Sequence, residues 1–369
     1  MIGPFVSVVM PSYNHEKFVA GAIESVLSQS FENFEFLISD DGSKDGTQAI
    51  ISKFTDPRIK FLANPVNRGA CVVHNELLDL AQGKYVALIN SDDMWRPGKL
   101  ASQVAYLEAN PSVGGHFGRA GYIDKDGNSL SKGAVAFGRV FDQPNRTQAE
   151  WIRFFFDVGN CLCHPTSMIR RECYVELGGY NNRMRQLPDY DLWVRFLKKY
   201  SLHIADEPLI DFRVLPGENA SAHTSENSIR TINEHYLIAA HFFDGMDADL
   251  FIEAFKDRVK SDRNASREQI VIEQTLQYFV HNQWLGGVYK AVGLQRLFNH
   301  LCDPAQREIL LNVYGIDDRE FQKMSAHFDA FRPNVPLSTV PDHQIKEEFL
   351  KRVKLRLGRR VRMGWKNRH

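Results

Sequence analysis

The chain has 369 residues, enough for one large α/β domain plus an extension and more than one ordinary core holds. An apolar content of 43% with 24% charged residues is that of a soluble globular chain, and 45 Lys+Arg against 45 Asp+Glu argues against a nucleic-acid partner. The balance is uneven along the chain, since residues 346–369 carry ten Lys/Arg against two Glu and leave the remainder net negative by eight. Apolar runs are strand-sized, which excludes a transmembrane helix, and Met1 leads into a strand-like run without a signal peptide. Five cysteines (Cys71, Cys161, Cys163, Cys173 and Cys302) without CxxC spacing read as reduced thiols of a cytoplasmic protein, with Cys161 and Cys163, two apart, packed in the core.

Residues 5–10 form an apolar, β-branched strand stopped by Pro11-Ser12-Tyr13-Asn14. Residues 17–28 follow as a helix, because Phe18, Ala22, Val26 and Val19, Ile23, Leu27 repeat at i, i+4, i+8. A second strand at 34–39 ends in Asp40-Asp41-Gly42-Ser43, and Asp45-Gly46-Thr47 start a helix that runs through 54. A third strand, 58–63, leads to Asn67-Arg68-Gly69 and a helix to Ala81, with Gly83 as its expected C-cap. Alternation of strand and helix at this spacing predicts a parallel, doubly wound sheet with right-handed crossovers, whose ligands lie beyond the carboxyl ends of the strands. Neither a G-x-G-x-x-G turn nor a Walker A loop is present, so the dinucleotide and P-loop readings lose support.

The fourth strand carries the most informative stretch, residues 85–97. Its apolar run reads as a strand buried on both faces and ends in Asn90-Ser91-Asp92-Asp93. Adjacent carboxylates beside a core are costly unless something compensates them. One compensation is a hard divalent cation bridging a diphosphate. The other is a solvated turn in which Asp92 or Asp93 caps a helix beginning near Pro97.

The motifs VSVVMPSYN (6–14), AIESVLSQSFENFEFLISDDGSKDGT (22–47), NRGA (67–70) and GKYVALINSDD (83–93), followed by Pro97 and Lys99, together resemble family 2 inverting glycosyltransferases of the GT-A fold. The likeness spans the first hundred residues and extends more loosely to about residue 221. It implies a mostly parallel GT-A sheet at 1–225, with a nucleotide-sugar-binding half (1–110) and an acceptor half (111–225). By this resemblance Pro11, Tyr13 and Asp41 surround the nucleotide base, Tyr13 stacking on it and Asp41 accepting from the uracil imide. Asp92 would hold Mg²⁺ or Mn²⁺, with Asn90, Ser91 and Asp93 beside the nucleotide sugar. The chain departs from the family's D-x-D-D at Asn90, and has His74 where an arginine is common. His74 is either a phosphate contact, strongest when protonated, or a residue of the helix surface.

Beyond residue 113 the pattern is irregular, with a strand at 113–117, a turn at Asp124–Asn128 and helices at 148–156 and ending at Leu177-Gly178. Leu187-Pro188-Asp189-Tyr190-Asp191-Leu192-Trp193 then opens a helix to 199. Asp189 reads as its N-cap from the residues alone. The resemblance to E-D-x-D-L-W makes Asp189 the general base, with Asp191 in reserve and Pro188 replacing a glutamate; a helix N-terminus is expected to lower its pKa. Strands at 204–209 and 212–214 would close this domain. Leu215 stands where relatives carry histidine, and His223 is a possible substitute. From 226 to 369 helix-period segments replace strands, and 345–361 reads as a basic amphipathic helix suited to an anionic membrane surface, to a protein partner, or to a free tail.

The expectation is therefore a metal-dependent glycosyltransferase moving sugar from a nucleotide-diphosphate sugar, of the UDP type, to a glycan, lipid-linked or protein-linked acceptor. Two alternatives remain: a non-catalytic GT-A-like partner subunit, which Asn90, Pro188 and Leu215 would favour, and a sugar-phosphate nucleotidyltransferase. The latter lacks the glycine- and lysine-rich loop it would need after the first strand.

Overall fold

The computed structural model describes residues 3–217, 224–280 and 285–327. Four parallel strands, β1 (Val6–Ser12), β2 (Phe34–Asp40), β3 (Ile59–Ala63) and β4 (Tyr85–Leu88), alternate with helices α1 (Val19–Leu27), α2 (Thr47–Ile51) and α3 (Ala70–Leu80). The expected first half is present. β1 reaches through Pro11 instead of stopping before it, pairing Pro11 with Ser39 and Ser12 with Asp40 of β2. A proline fits there because the β1–β4 ladder ends at Val9 and Leu88, so the missing N–H leaves no ladder partner waiting. Gly83 is not the C-cap of α3, since the helix ends at Ala81 in extended conformation. Glycine is required for another reason: a Cβ there would sit 2.4 Å from the Ser7 nitrogen of β1.

The second half is more mixed than the sequence suggests. After β4 come β5 (Met94–Trp95), α4 (Lys99–Ala109), β6 (Val113–Ile123), β7 (Ser129–Leu130), α5 (Gln148–Asp157), β8 (Met168–Arg170), α6 (Arg171–Leu177), α7 (Pro188–Leu197) and β9 (Ser201–Arg213). Strand order is β3-β2-β1-β4-β8-β6-β9-β5, with β7 paired to β6. β8 runs antiparallel to both β4 and β6, β5 antiparallel to β9, and β6 parallel to β9. The two strands expected at 204–209 and 212–214 are one bulged strand, β9, along the longer β6. The turn at 124–128 is a hairpin in which the Asp124 carboxylate accepts from the backbone of Asp126 and Asn128. Neither Asp92 nor Asp93 caps a helix, because β5 follows them at once and α4 begins only after Gly98.

Beyond the sheet lie α8 (Ser225–Ala240), α9 (Ala248–Phe255), α10 (Arg267–Val280), α11 (Gly286–Cys302), α12 (Pro304–Ile309) and α13 (Asp318–His327). They share a core with the first 217 residues. Phe156 of α5 packs its ring against Phe242, Phe243, Phe255, Tyr278 and Tyr289, with centroids 5.0–5.5 Å apart. Aromatic burial on this scale dominates such an interface. Among the described residues no helix is long and apolar enough to cross a membrane. The basic segment at 345–361 and His223 lie outside the described residues.

Candidate active site

The carboxyl ends of β1, β2 and β4 converge as expected, and their loops are knitted together by side chains. Asn14, with a left-handed φ of 54°, donates its N–H to Ser43 Oγ and accepts from Lys44 N. Glu16 accepts from Gly46 N, and His15 N donates to Thr47 Oγ1. This bracing presents Tyr13 at the rim, where the residue is 42% exposed, as a stacking platform requires.

Asp40 and Asp41, adjacent in sequence, serve different purposes. Asp40 is fully buried and accepts from Ser43 N, Ser43 Oγ and Gln48 Nε2, so it is spent on shaping the turn. Asp41 accepts from Arg68 N at 2.7 Å and Gly69 N at 2.9 Å, clamping the end of β2 to the start of α3. Each of its oxygens keeps a lone-pair direction for a further donor. Gly42 allows this clamp: its φ is +74°, and a Cβ would lie 2.6 Å from the Val66 carbonyl carbon.

At the end of β4, the two remaining aspartates divide in the same way. Asp93 Oδ1 accepts from Arg213 N at 2.8 Å, and Oδ2 from Asn90 Nδ2 at 3.0 Å. Arg213 also donates through Nε to the Asp92 carbonyl and through Nη1 to the Asp124 carbonyl, tying the loop to β9. Among the described residues no other residue donates a hydrogen bond to the Asp92 carboxylate, yet Asp92 is only 9% exposed. Burial raises its pKa above the usual carboxylate range, against the lowering pull of His15 and Arg213. Burial and the neighbouring Asp92 charge push Asp93 further up. An acceptor-only carboxylate at a strand end, with no hydrogen bond from any other described residue, fits a divalent cation, and Asp92 would hold Mg²⁺ or Mn²⁺ there. No group of three or more potential His, Cys, Asp or Glu ligands forms among the described residues.

His15 has no place in the motif reading, yet its Nδ1 lies 2.8 Å from Ser91 Oγ. Only its position directly after Tyr13-Asn14, at the end of β1, could have signalled it. His74 is a different case. It is neither on the helix surface nor suited to a phosphate contact as a cation. Nδ1 bonds to Ala70 O, the ring lies 4.9 Å from Tyr180, and burial beside His164 depresses its pKa to about 3.

Asp189 sits in the first turn of α7, with Pro188 at the first helical position and Leu187 as the flanking residue, so it is not the N-cap. Its Oδ1 accepts from Tyr190 N at 2.8 Å and its Oδ2 from Asn160 Nδ2 at 2.7 Å. The expected lowering of its pKa is reversed, because burial outweighs those hydrogen bonds and raises it. Asp191 is held by Arg195 through Nε at 3.0 Å and Nη2 at 2.8 Å, and Arg195 also bonds the Leu177 and Gly179 carbonyls. The two halves meet at Cys163: burial pushes its thiol well up, and the charges of Asp93 and Asp189 both push it further. Asp93 and Asp189 thus both lie within electrostatic reach of the Cys163 thiol. The three departures from the family pattern have local structural uses: Asn90 holds Asp93, Pro188 starts α7, and Leu215 is buried.

The sheet order and the acidic strand ends agree with the GT-A fold that the sequence resemblance implies. The Glycosyl transferase family 2 model matches residues 7–178. The chain is 36% identical over 230 residues to UDP-Glc:alpha-D-GlcNAc-diphosphoundecaprenol beta-1,3-glucosyltransferase WfaP of Escherichia coli, covering 62% of this chain and 84% of that one. S. aureus TarS in complex with UDP-GlcNAc superposes with a TM-score of 0.54 at 17% identity, over 87% of this chain and 91% of that one. The mannosyltransferase PcManGT of Pyrobaculum calidifontis, in complex with GDP-Man and Mn²⁺, gives 0.50 at 16% identity over 88% and 86%. The chain belongs to glycosyltransferase family 2 and is a glycosyltransferase. Asp189, at the start of α7, lies beyond the matched segment.

Proposed function

We propose that this chain is a divalent-metal-dependent, inverting transferase that moves a sugar from a UDP-sugar to a hydroxyl of a glycan or lipid-linked glycan. The observation that carries this reading is a pair of unlike carboxylates: Asp92 at the end of β4, buried with no hydrogen bond from any other described residue, and Asp189 at the start of α7, with its pKa raised by burial. Tyr13 stacks on the base, and Asp41 offers its free lone pairs to the imide N–H. A bound Mg²⁺ or Mn²⁺ supplies charge neutralisation for the leaving diphosphate. Asp92 would hold that cation, and only through it the diphosphate, while Asp93, Asn90 and Arg213 hold the loop rigid around it.

Asp189 takes the acceptor hydroxyl's proton as its oxygen attacks the anomeric carbon, and the bond to the nucleotide diphosphate breaks on the opposite face. A pKa raised by burial makes Asp189 a stronger base than an exposed aspartate, and Asn160 fixes the direction of its carboxylate. Asp191 is given no proton-transfer role, since its carboxylate serves Arg195. One base acting on one attacking oxygen supports inversion. WfaP, by its name, uses UDP-Glc and a GlcNAc-diphosphoundecaprenol acceptor. A UDP-hexose and a lipid-diphosphate-linked saccharide are accordingly the first pair to test. Incubation with UDP-Glc, UDP-GlcNAc or GDP-Man in Mn²⁺ should release nucleotide from a UDP-sugar, and chelator should stop it; release that persists in chelator contradicts the metal role.

A further inference from the structure

Helix α8 lies beyond the segment matched to the family model, yet one of its side chains reaches the catalytic loop. Glu234 is 4% exposed, and its carboxylate accepts three consecutive backbone N–H groups: Arg185 N on Oε1 at 2.8 Å, and Gln186 N and Leu187 N on Oε2 at 2.8 and 2.7 Å. Those amides immediately precede Pro188 and Asp189 at the entry to α7. Three charge-assisted bonds to adjacent amides fix both the path of this segment and the angle at which it enters the helix. Pro188 removes one backbone freedom at the next position, and Asn160 fixes the far side of the Asp189 carboxylate.

We propose that Glu234 is the positioning residue for the Asp189 base, so that the helical region completes the catalytic centre as well as covering the core. This rests on the reading of Asp189 as the base. Glu234 does not touch substrate; it sets where the Asp189 carboxylate stands relative to the acceptor oxygen. A glutamine is a poor substitute despite its shape. Its oxygen can serve one side of the amide row, while its NH₂ faces a backbone N–H, donor against donor.

The test uses the full chain with Glu234→Gln, Glu234→Ala and Asp189→Asn. UDP affinity is measured by calorimetry in Mn²⁺, and UDP release from the UDP-sugar turned over by the wild type is followed across pH. Glu234→Gln should lower kcat about 10- to 100-fold, the scale of an ångström-size misplacement. It should leave the KM for the donor and the affinity for UDP within about twofold, a uniform-binding criterion. In Glu234→Ala, added formate or acetate should restore turnover by occupying the row of amides, which it cannot do in Glu234→Gln. If Glu234→Ala does not fold, the glutamine variant still decides. A Glu234→Gln enzyme with wild-type kcat beside an inactive Asp189→Asn overturns this proposal. An Asp189→Asn enzyme with wild-type kcat, or a wild type that turns over no sugar nucleotide, overturns the functional reading beneath it.

Discussion

Replacing Asp41 by alanine removes the clamp between the end of β2 and the start of α3. The carboxylate is 4% exposed and accepts from Arg68 N and Gly69 N, so its loss removes the acceptor of two part-buried backbone donors. Each donor left unsatisfied costs up to about 1–3 kcal/mol, giving at most roughly 2–6 kcal/mol for the pair. At about 2.1 cal/mol/K of unfolding entropy per residue, a chain of this length should lose about 3–8 °C in Tm. Asp41→Asn keeps one acceptor and should lose about half as much. Differential scanning calorimetry of the apo proteins reads both, and a UDP titration should show weaker binding in each variant because the imide acceptor is lost or reoriented. An Asp41→Ala protein melting within about a degree of wild type would refute the clamp, since entropy on this scale leaves no room for two orphaned donors.

Asp189→Asn should reduce transfer about 10²- to 10⁴-fold while leaving UDP binding intact, measured by single-turnover kinetics against calorimetry. Because burial raises the Asp189 pKa, the fall of kcat/KM with decreasing pH should begin above the usual carboxylate range; the protonated acid cannot take the acceptor's proton. Asp92→Asn removes one of two adjacent buried charges without breaking a side-chain hydrogen bond, so the apo protein should gain about 0.5–2 kcal/mol in chemical denaturation even as function is lost. His74, His116 and His164 are held neutral by burial, with pKa values depressed to about 3, about 3 and about 4. The unfolded chain protonates these groups near 6.5 and the native one does not. Their contribution to stability is therefore complete above that pH and is lost as pH falls towards the folded values, at up to about 4 kcal/mol per pH unit for three groups. Urea midpoints that stay flat between pH 6.5 and 5 would contradict this.

The first half of the fold was legible because each strand is a short apolar run and each helix repeats at 3.6 residues between turn residues. In the second half α5, α7 and the start of β6 were legible on the same grounds, but β8 has three residues and β5 two, too few to show any period. Convergence of Tyr13, Asp41 and the 90–93 loop followed from the strand-end rule for parallel sheets. The division of labour within Asp40-Asp41 and Asp92-Asp93 could not follow from it, because it depends on which backbone amides face each carboxylate. The Asp189 pKa was misjudged in direction for a similar reason: sequence exposes the helix terminus but hides the burial that opposes it. His15 and Glu234 were missed because each acts across the fold, on Ser91 and on residues 185–187.

The most direct test of the central claim is the thermal shift given by a UDP-sugar in Mn²⁺ and in chelator, for wild type and Asp92→Asn. Saturation at a hundred times the dissociation constant adds about 2.7 kcal/mol to the folded state. A shift in wild type that requires Mn²⁺ and disappears in Asp92→Asn is the predicted result. A shift of equal size in chelator, or one retained by Asp92→Asn, would contradict the assignment of Asp92 as the residue through which this transferase holds its donor's diphosphate.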